Sequence, residues 1–148
     1  MNGIERILNT NVVVDFLDGD ETVMAFWRDR VQGRKAAVSQ ITRMELLSAP
    51  GLTPDAETEI RRLLQGLRVI GIGAAVEEKA VRLRREYRLK LPDAIIAATA
   101  EVLDWPLVTA DEELARRLSP RVNVLNPRIR TADVNGSLPE GVEGGRLP

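Results

Sequence analysis

Residues 93–111, DAIIAATAEVLDWPLVTAD, decide how the rest of the chain is read. From Asp93 to Leu103 nearly every side chain is small or apolar. Ala favours helix, and a helix that is apolar all round must be buried on most sides. After Pro106, Leu107 to Thr109 is a short apolar run that suits a strand. A strand without polar alternation, beside a helix hidden on most of its surface, implies a parallel sheet covered on both faces.

The neighbouring segments extend this pattern in both directions. Ala74 to Arg88 is an amphipathic helix, with Val76, Ala80, Leu83 and Tyr87 spaced 4, 3 and 4 apart. Thr53 and Pro54 open another helix as N-cap and first-turn proline, with Ile60, Leu63, Leu64 and Leu67 as its stripe. Gln40 to Ala49 reads as a helix, and so does Glu112 to Leu118. From Glu21 the spacing of Val23, Phe26, Trp27 and Val31 is helical, with Gly33 as the stop. Ile4 to Leu8, Ala36 to Ser39, Val69 to Ile72 and Val122 to Leu125 are short apolar runs that read as strands. Val12 to Leu17 fits either a strand or a helix. Strands alternating with helices predict an α/β fold around a mostly parallel sheet of about five strands. Residues 1–125 form that domain. Residues 126–148 hold four Gly and three Pro, no aromatics and no periodicity, and read as an irregular extension.

Composition narrows the chemistry. The chain has 148 residues, enough for one domain with one core. It contains no Cys, which excludes disulfides, thiolate zinc sites and Cys nucleophiles. It contains no His, which excludes Ser-His triads, His bases and His-ligated metals. Catalysis by such a chain rests on carboxylates, hydroxyls, Lys, Arg or a bound ion. Carboxylate sites suit hard cations such as Mg²⁺ or Mn²⁺. The net charge of -1 provides no global basic field, so a polyanion would have to meet a local patch. No apolar run approaches the roughly 20 residues needed to cross a bilayer. The opening segment, MNGIERILN, lacks the apolar stretch of a secretory signal. A cytoplasmic protein without membrane contact is expected.

In open parallel sheets, ligands bind beyond the carboxyl ends of the strands. Three of the expected strands end in polar residues: Asn9-Thr10-Asn11, Ser39 with Glu45 following, and Thr109-Ala110-Asp111. Asp93 opens the buried helix. Each has a plain structural alternative. Asp111 suits a helix N-cap, Asp93 a helix N-terminus, and the Asn residues suit turns. Glu45 stands among Met44, Leu46 and Leu47, where unpaired carboxylates are rare. Converging acids repel one another and raise one another's pKa. A divalent cation resolves that conflict and suits phosphodiester hydrolysis.

Four stretches in order, ILNTNVVVDFL, VSQITRMELL, LPDAIIAATA and LVTADEEL, span residues 7–114. They resemble the PIN-domain ribonucleases, particularly VapC-type toxins of bacterial toxin–antitoxin pairs. The resemblance implies a three-layer α/β/α PIN-like domain that holds Mg²⁺ or Mn²⁺ and cuts structured RNA, such as tRNA or rRNA, with metal-activated water. It places the catalytic and metal-binding set at Asn9, Glu45, Asp93 and Asp111. Thr10, Asn11, Ser39, Thr42 and Thr109 become supporting residues, and Glu113 falls where some relatives have a further acid. The departure is at position 9, where the family pattern Asp-Thr-Asn reads Asn-Thr-Asn. Asn keeps the shape and one carbonyl oxygen but removes a negative charge beside a divalent ion. Reduced or abolished activity is therefore expected, through either an introduced substitution or a naturally weakened relative. The alternative is a catalytically inactive PIN domain that binds antitoxin or RNA. A phospho-receiver domain is disfavoured, because Val69-Ile70-Gly71-Ile72 offers no Asp nucleophile.

Lys79, Arg82, Arg84, Arg85, Arg88 and Lys90 form a basic stretch leading to Asp93. They read either as a solvated helix face or as a hold for RNA phosphates, with Arg43, Arg82, Arg85 and Arg88 as RNA-binding candidates. Scarce aromatics favour recognition of folded RNA by shape over base stacking. Val13, Phe16, Leu17, Phe26 and Trp27 read mainly as core. The family resemblance implies that this region helps form a groove for a VapB-type antitoxin. It also implies a homodimer and a toxin–antitoxin hetero-oligomer.

Overall fold

The computed structural model describes residues 5–32 and 36–129. The expected strand start at Ile4, the helix stop at Gly33 and residues 130–148 of the extension lie outside the described residues. Among the described residues, five strands, β1 (Arg6–Leu8), β2 (Ala36–Ser39), β3 (Arg68–Ile70), β4 (Leu107–Val108) and β5 (Val124–Leu125), form one sheet in the order β3-β2-β1-β4-β5. Every neighbouring pair is parallel, as the absence of polar alternation predicts. The strands are short, and β3 and β5 cover only part of the runs read from sequence.

Among the described residues, seven α-helices connect them: α1 (Thr10–Leu17), α2 (Glu21–Phe26), α3 (Gln40–Leu47), α4 (Pro54–Gln65), α5 (Ala74–Tyr87), α6 (Leu91–Leu103) and α7 (Glu112–Leu118). A π-helical segment over Trp27–Val31 continues α2. The ambiguous run Val12 to Leu17 is helical. Val12 and Val13 are fully buried, and this packing overrides the β preference of three consecutive Val residues. The buried helix α6 begins two residues before Asp93, because Pro92 is tolerated in the first turn. No helix among the described residues is long and apolar enough to cross a membrane.

Parallel crossovers are right-handed, so a connection that moves the other way along the sheet must cross the opposite face. The chain runs from β1 to β2 to β3 in one direction, then jumps back past β1 to β4. The core divides accordingly. Ile7, Ala37 and Leu107 meet Leu83, Ala97, Leu114 and Leu118 from α5, α6 and α7 on one face. Leu8, Val38 and Val108 meet Val12, Val23, Leu46 and Leu64 from α1, α2, α3 and α4 on the other. Adjacent strand residues thus point into opposite layers, as the period of two requires. The strand order reverses between β1 and β4, which is where such a sheet opens a ligand crevice. A receiver-type sheet places its third strand centrally, whereas β3 lies at the edge here.

Candidate active site

A cleft of about 340 Å³ lies beyond the carboxyl ends of β1 and β4. Asn9, Thr10, Asn11, Val14, Asp15, Glu45, Asp93 and Asp111 line it. The four family-position residues therefore come together, from β1's end, α3, α6 and α7's start. Asn9 is buried and caps α1, with its Oδ1 accepting from the Thr10 backbone N–H at 2.7 Å. That partner can only donate, so the amide orientation is fixed. Asn9 Nδ2 is left to donate to Thr109 Oγ1 at 2.8 Å. An aspartate in this place would accept from the Thr109 hydroxyl. With Asn9 the direction of that bond reverses.

Thr109 is buried and joins the two strand ends. Its Oγ1 also accepts from the Asp111 backbone N–H at 3.1 Å and lies 3.5 Å from Asn11 Nδ2. Asn11 Oδ1 accepts from Ala110 N at 3.4 Å. Asp111 Oδ1 caps α7 through Leu114 N at 3.0 Å. The capping alternative for Asp111 is therefore realised, while the same side chain lines the cleft.

Glu45 is held from the other side. Thr10 Oγ1 donates to Glu45 Oε1 at 2.7 Å and stands 2.8 Å from Thr42 Oγ1. A hydroxyl has one proton, and a carboxylate only accepts. Thr42 must therefore donate to Thr10, which donates to Glu45. Both hydroxyls are committed, and the carboxylate is oriented.

Asp93 is half-buried in the first turn of α6. Burial pushes its carboxyl above the ordinary value, and the negative charges of Asp111 and Glu45 push the same way, against Lys90. Burial and like-charge repulsion together thus outweigh the one nearby counter-charge. Among the described residues, no three acids close on a single point as a metal cage. The oxygen donors still suit Mg²⁺, which keeps several waters and binds through one or two carboxylates plus substrate phosphates.

The remaining expected residues fall elsewhere. Ser39 is buried and caps α3 through Ile41 N. Glu113 is exposed, pairs with Arg116 at 2.6 Å, and does not line the cleft. Arg82 pairs with Glu78 at 2.9 Å. Arg43, Arg85 and Arg88 are exposed. Val13 and Trp27 are buried, and Phe16 stacks on Trp27 with ring centroids 4.0 Å apart. Phe26 lines a larger groove of about 950 Å³ between α2, α7 and the segment after β5. Asp15 is the cleft acid that the sequence did not single out. Its i, i+4 spacing from Asn11 places both on one helix face, but only once α1 is known to be a helix. Arg128 pairs with Asp15 and with Asp20, each at 2.8 Å.

A parallel sheet with acids gathered at its switch point defines an α/β domain with an acidic cleft, and the comparisons specify the family. The PIN domain model matches residues 6–118, and the chain belongs to that family. A toxin–antitoxin complex from Klebsiella pneumoniae is similar at 30% identity and a TM-score of 0.70, over 82% of this chain and 97% of the relative's. VapBC2 from Rickettsia felis bound to a promoter DNA fragment is similar at 21% identity and a TM-score of 0.72, over 82% and 98%. A DNA-bound VapBC from Salmonella typhimurium is similar at 18% identity and a TM-score of 0.71, over 84% and 98%. The last two bear on the fold alone. No curated protein matches the chain in sequence.

Proposed function

We propose that this PIN domain is the nuclease toxin of a toxin–antitoxin pair, an Mg²⁺- or Mn²⁺-dependent endoribonuclease whose activity is lowered by Asn9. The observation that carries this reading is the convergence of Glu45, Asp93 and Asp111, from three separate elements, on one cleft with Asn9. One or two of those carboxylates, with water, would hold the cation, which when bound would supply charge neutralisation at the phosphate and an activated water. The chain's own part is placement. Thr42 and Thr10 orient Glu45, and Thr109 links Asn9 to Asp111. Asp93 contributes a half-buried charge that burial and its acidic neighbours disfavour, so a cation is welcome there. Scarce aromatics favour a structured RNA substrate such as tRNA or rRNA. The toxin–antitoxin complex at 30% identity supports an antitoxin partner, and a cytoplasmic setting is part of the same proposal.

A second reading has its own observation. With Asn9 fixed by Thr10 and Thr109, the cleft lacks the family's first acid. The chain would then bind antitoxin or RNA without cutting. End-sequencing of total cellular RNA after incubation with Mg²⁺ or Mn²⁺ separates the two. Specific cuts that vanish in Asp93→Asn support the enzyme. Equal RNA profiles with and without the cation, for this chain and its Asn9→Asp form, support the binding module.

A further inference from the structure

The described cations are not equally available. On α5, Arg82 is paired with Glu78 and Lys79 with Glu101. Arg121 from beyond α7 takes Glu86 and the same Glu101. Arg84, Arg85, Arg88 and Lys90 make no ion pair or side-chain hydrogen bond among the described residues, and all four are exposed. Four cations without an ion pair among the described residues thus lie within seven consecutive positions, from the last turn of α5 into the α5–α6 turn, in a chain whose net charge is -1. The turn leads directly into the cleft. Lys90 is the residue before α6, and its charge is felt by Asp93.

The backbone adds an independent observation. Arg88 has φ 55, a left-handed conformation in which it caps α5. Gly or Asn fits this place at little cost, whereas another L-residue costs roughly 1–2 kcal/mol there. The other described non-Gly residue with positive φ is Asp104, a type that tolerates the region better. A long cation kept at a strained cap, two residues before Lys90, marks a place where something outweighs local backbone preference.

We infer that the α5–α6 turn is the phosphate-holding surface of the site, with Arg88 and Lys90 gripping the RNA backbone next to the scissile phosphate. Arg84 and Arg85 extend the track along α5. This rests on the RNA-cutting reading and adds the path of the substrate. It also removes Arg82, already neutralised by Glu78, from the RNA contacts. Cations spaced along a turn suit repeated phosphates, which are recognised by charge and not by sequence.

The test is the salt dependence of bulk tRNA binding by the full chain. Arg88→Asn with Lys90→Gln is compared with the charge-matched pair Arg62→Gln with Arg117→Gln, whose side chains are also unpaired but lie on α4 and α7. Asn is chosen at position 88 because it accepts the left-handed backbone. Each lost phosphate contact flattens the log–log slope by about 0.7–0.9. The turn pair should flatten it by nearly two such steps, while the control pair and Arg82→Gln leave it unchanged. Binding by the parent with equal slopes in both double variants would overturn the assignment and leave the RNA reading standing. No tRNA binding by the parent at low salt would overturn both.

Discussion

Thr10 and Glu45 lie 35 positions apart, yet Thr10 Oγ1 donates to Glu45 Oε1 at 2.7 Å. Thr42, one turn before Glu45 on α3, completes the line by donating to Thr10. The start of α1 and the third helix are therefore joined at the cleft by a directed pair of hydrogen bonds. Replacing Thr10 with Val keeps the shape and removes the relay. The buried Thr42 hydroxyl would lose its acceptor, at a cost of about 1–3 kcal/mol. In the Asn9→Asp background, loss of an orienting partner should lower metal-dependent cleavage by roughly 10- to 100-fold. Chemical denaturation and single-turnover cleavage read the two effects separately.

Asp93 supplies a pH signature in the metal-free protein. Its folded-state pKa is raised, chiefly by burial and then by Asp111 and Glu45. Between the ordinary Asp value and the raised value, the folded state holds more protons than the unfolded one. Stability therefore falls as pH rises through that window, and it stays lowered above it. Asp93→Asn removes this penalty. Melting curves in EDTA should show the variant more stable than the parent at neutral pH. The gain should vanish as pH falls toward the ordinary Asp range. A gain that persists at low pH would assign the effect to packing.

The small side chains of α6 set how closely the helix approaches the sheet. Ala97 and Ala98 are fully buried. Ala98→Leu should destabilise the fold by about 1–3 kcal/mol through overpacking. Urea denaturation would show this as a lowered midpoint with an unchanged slope.

Arg128 bridges Asp15 on the cleft wall and Asp20 at the start of α2. Those contacts are exposed, so Arg128→Ala should hardly move the melting temperature. Hydrogen exchange should instead quicken in residues 124–129, whose segment loses its tie to α1 and α2. Unchanged exchange there would show that Asn126 and Pro127 hold the segment without the bridge.

The architecture was legible because burial wrote itself into composition. Runs such as Leu107-Val108 and Ala36-Ala37-Val38 have no polar alternation, and α6 has almost no polar face. The polar residues of the cleft were legible for a topological reason: Asn9 and Asp111 follow strands that flank the switch point. What stayed hidden depends on contacts distant in sequence. Val12-Val13-Val14 has β-branched character, so α1 emerges only from its packing against the sheet. With α1 undecided, Asp15 could not be placed on the Asn11 face. Arg128 lies 113 positions from Asp15, and no local pattern announces that pair. The pairing of Arg82 with Glu78 was readable as an i, i+4 pair, whereas the freedom of Arg88 and Lys90 was not.

The proposed activity is divalent-cation-dependent RNA cleavage at this cleft, weakened by Asn at position 9. Its most direct measurement is cleavage of total cellular RNA by the parent and by Asn9→Asp, side by side, with Mg²⁺ or Mn²⁺ and with EDTA. The restored carboxylate should raise the rate by at least about tenfold, since a lost charge of this kind is worth on the order of 1.4 kcal/mol or more. That gain should disappear in EDTA and in the double variant carrying Asp93→Asn. Cleavage by Asn9→Asp that is no faster than the parent's, or that persists in EDTA, would contradict the account.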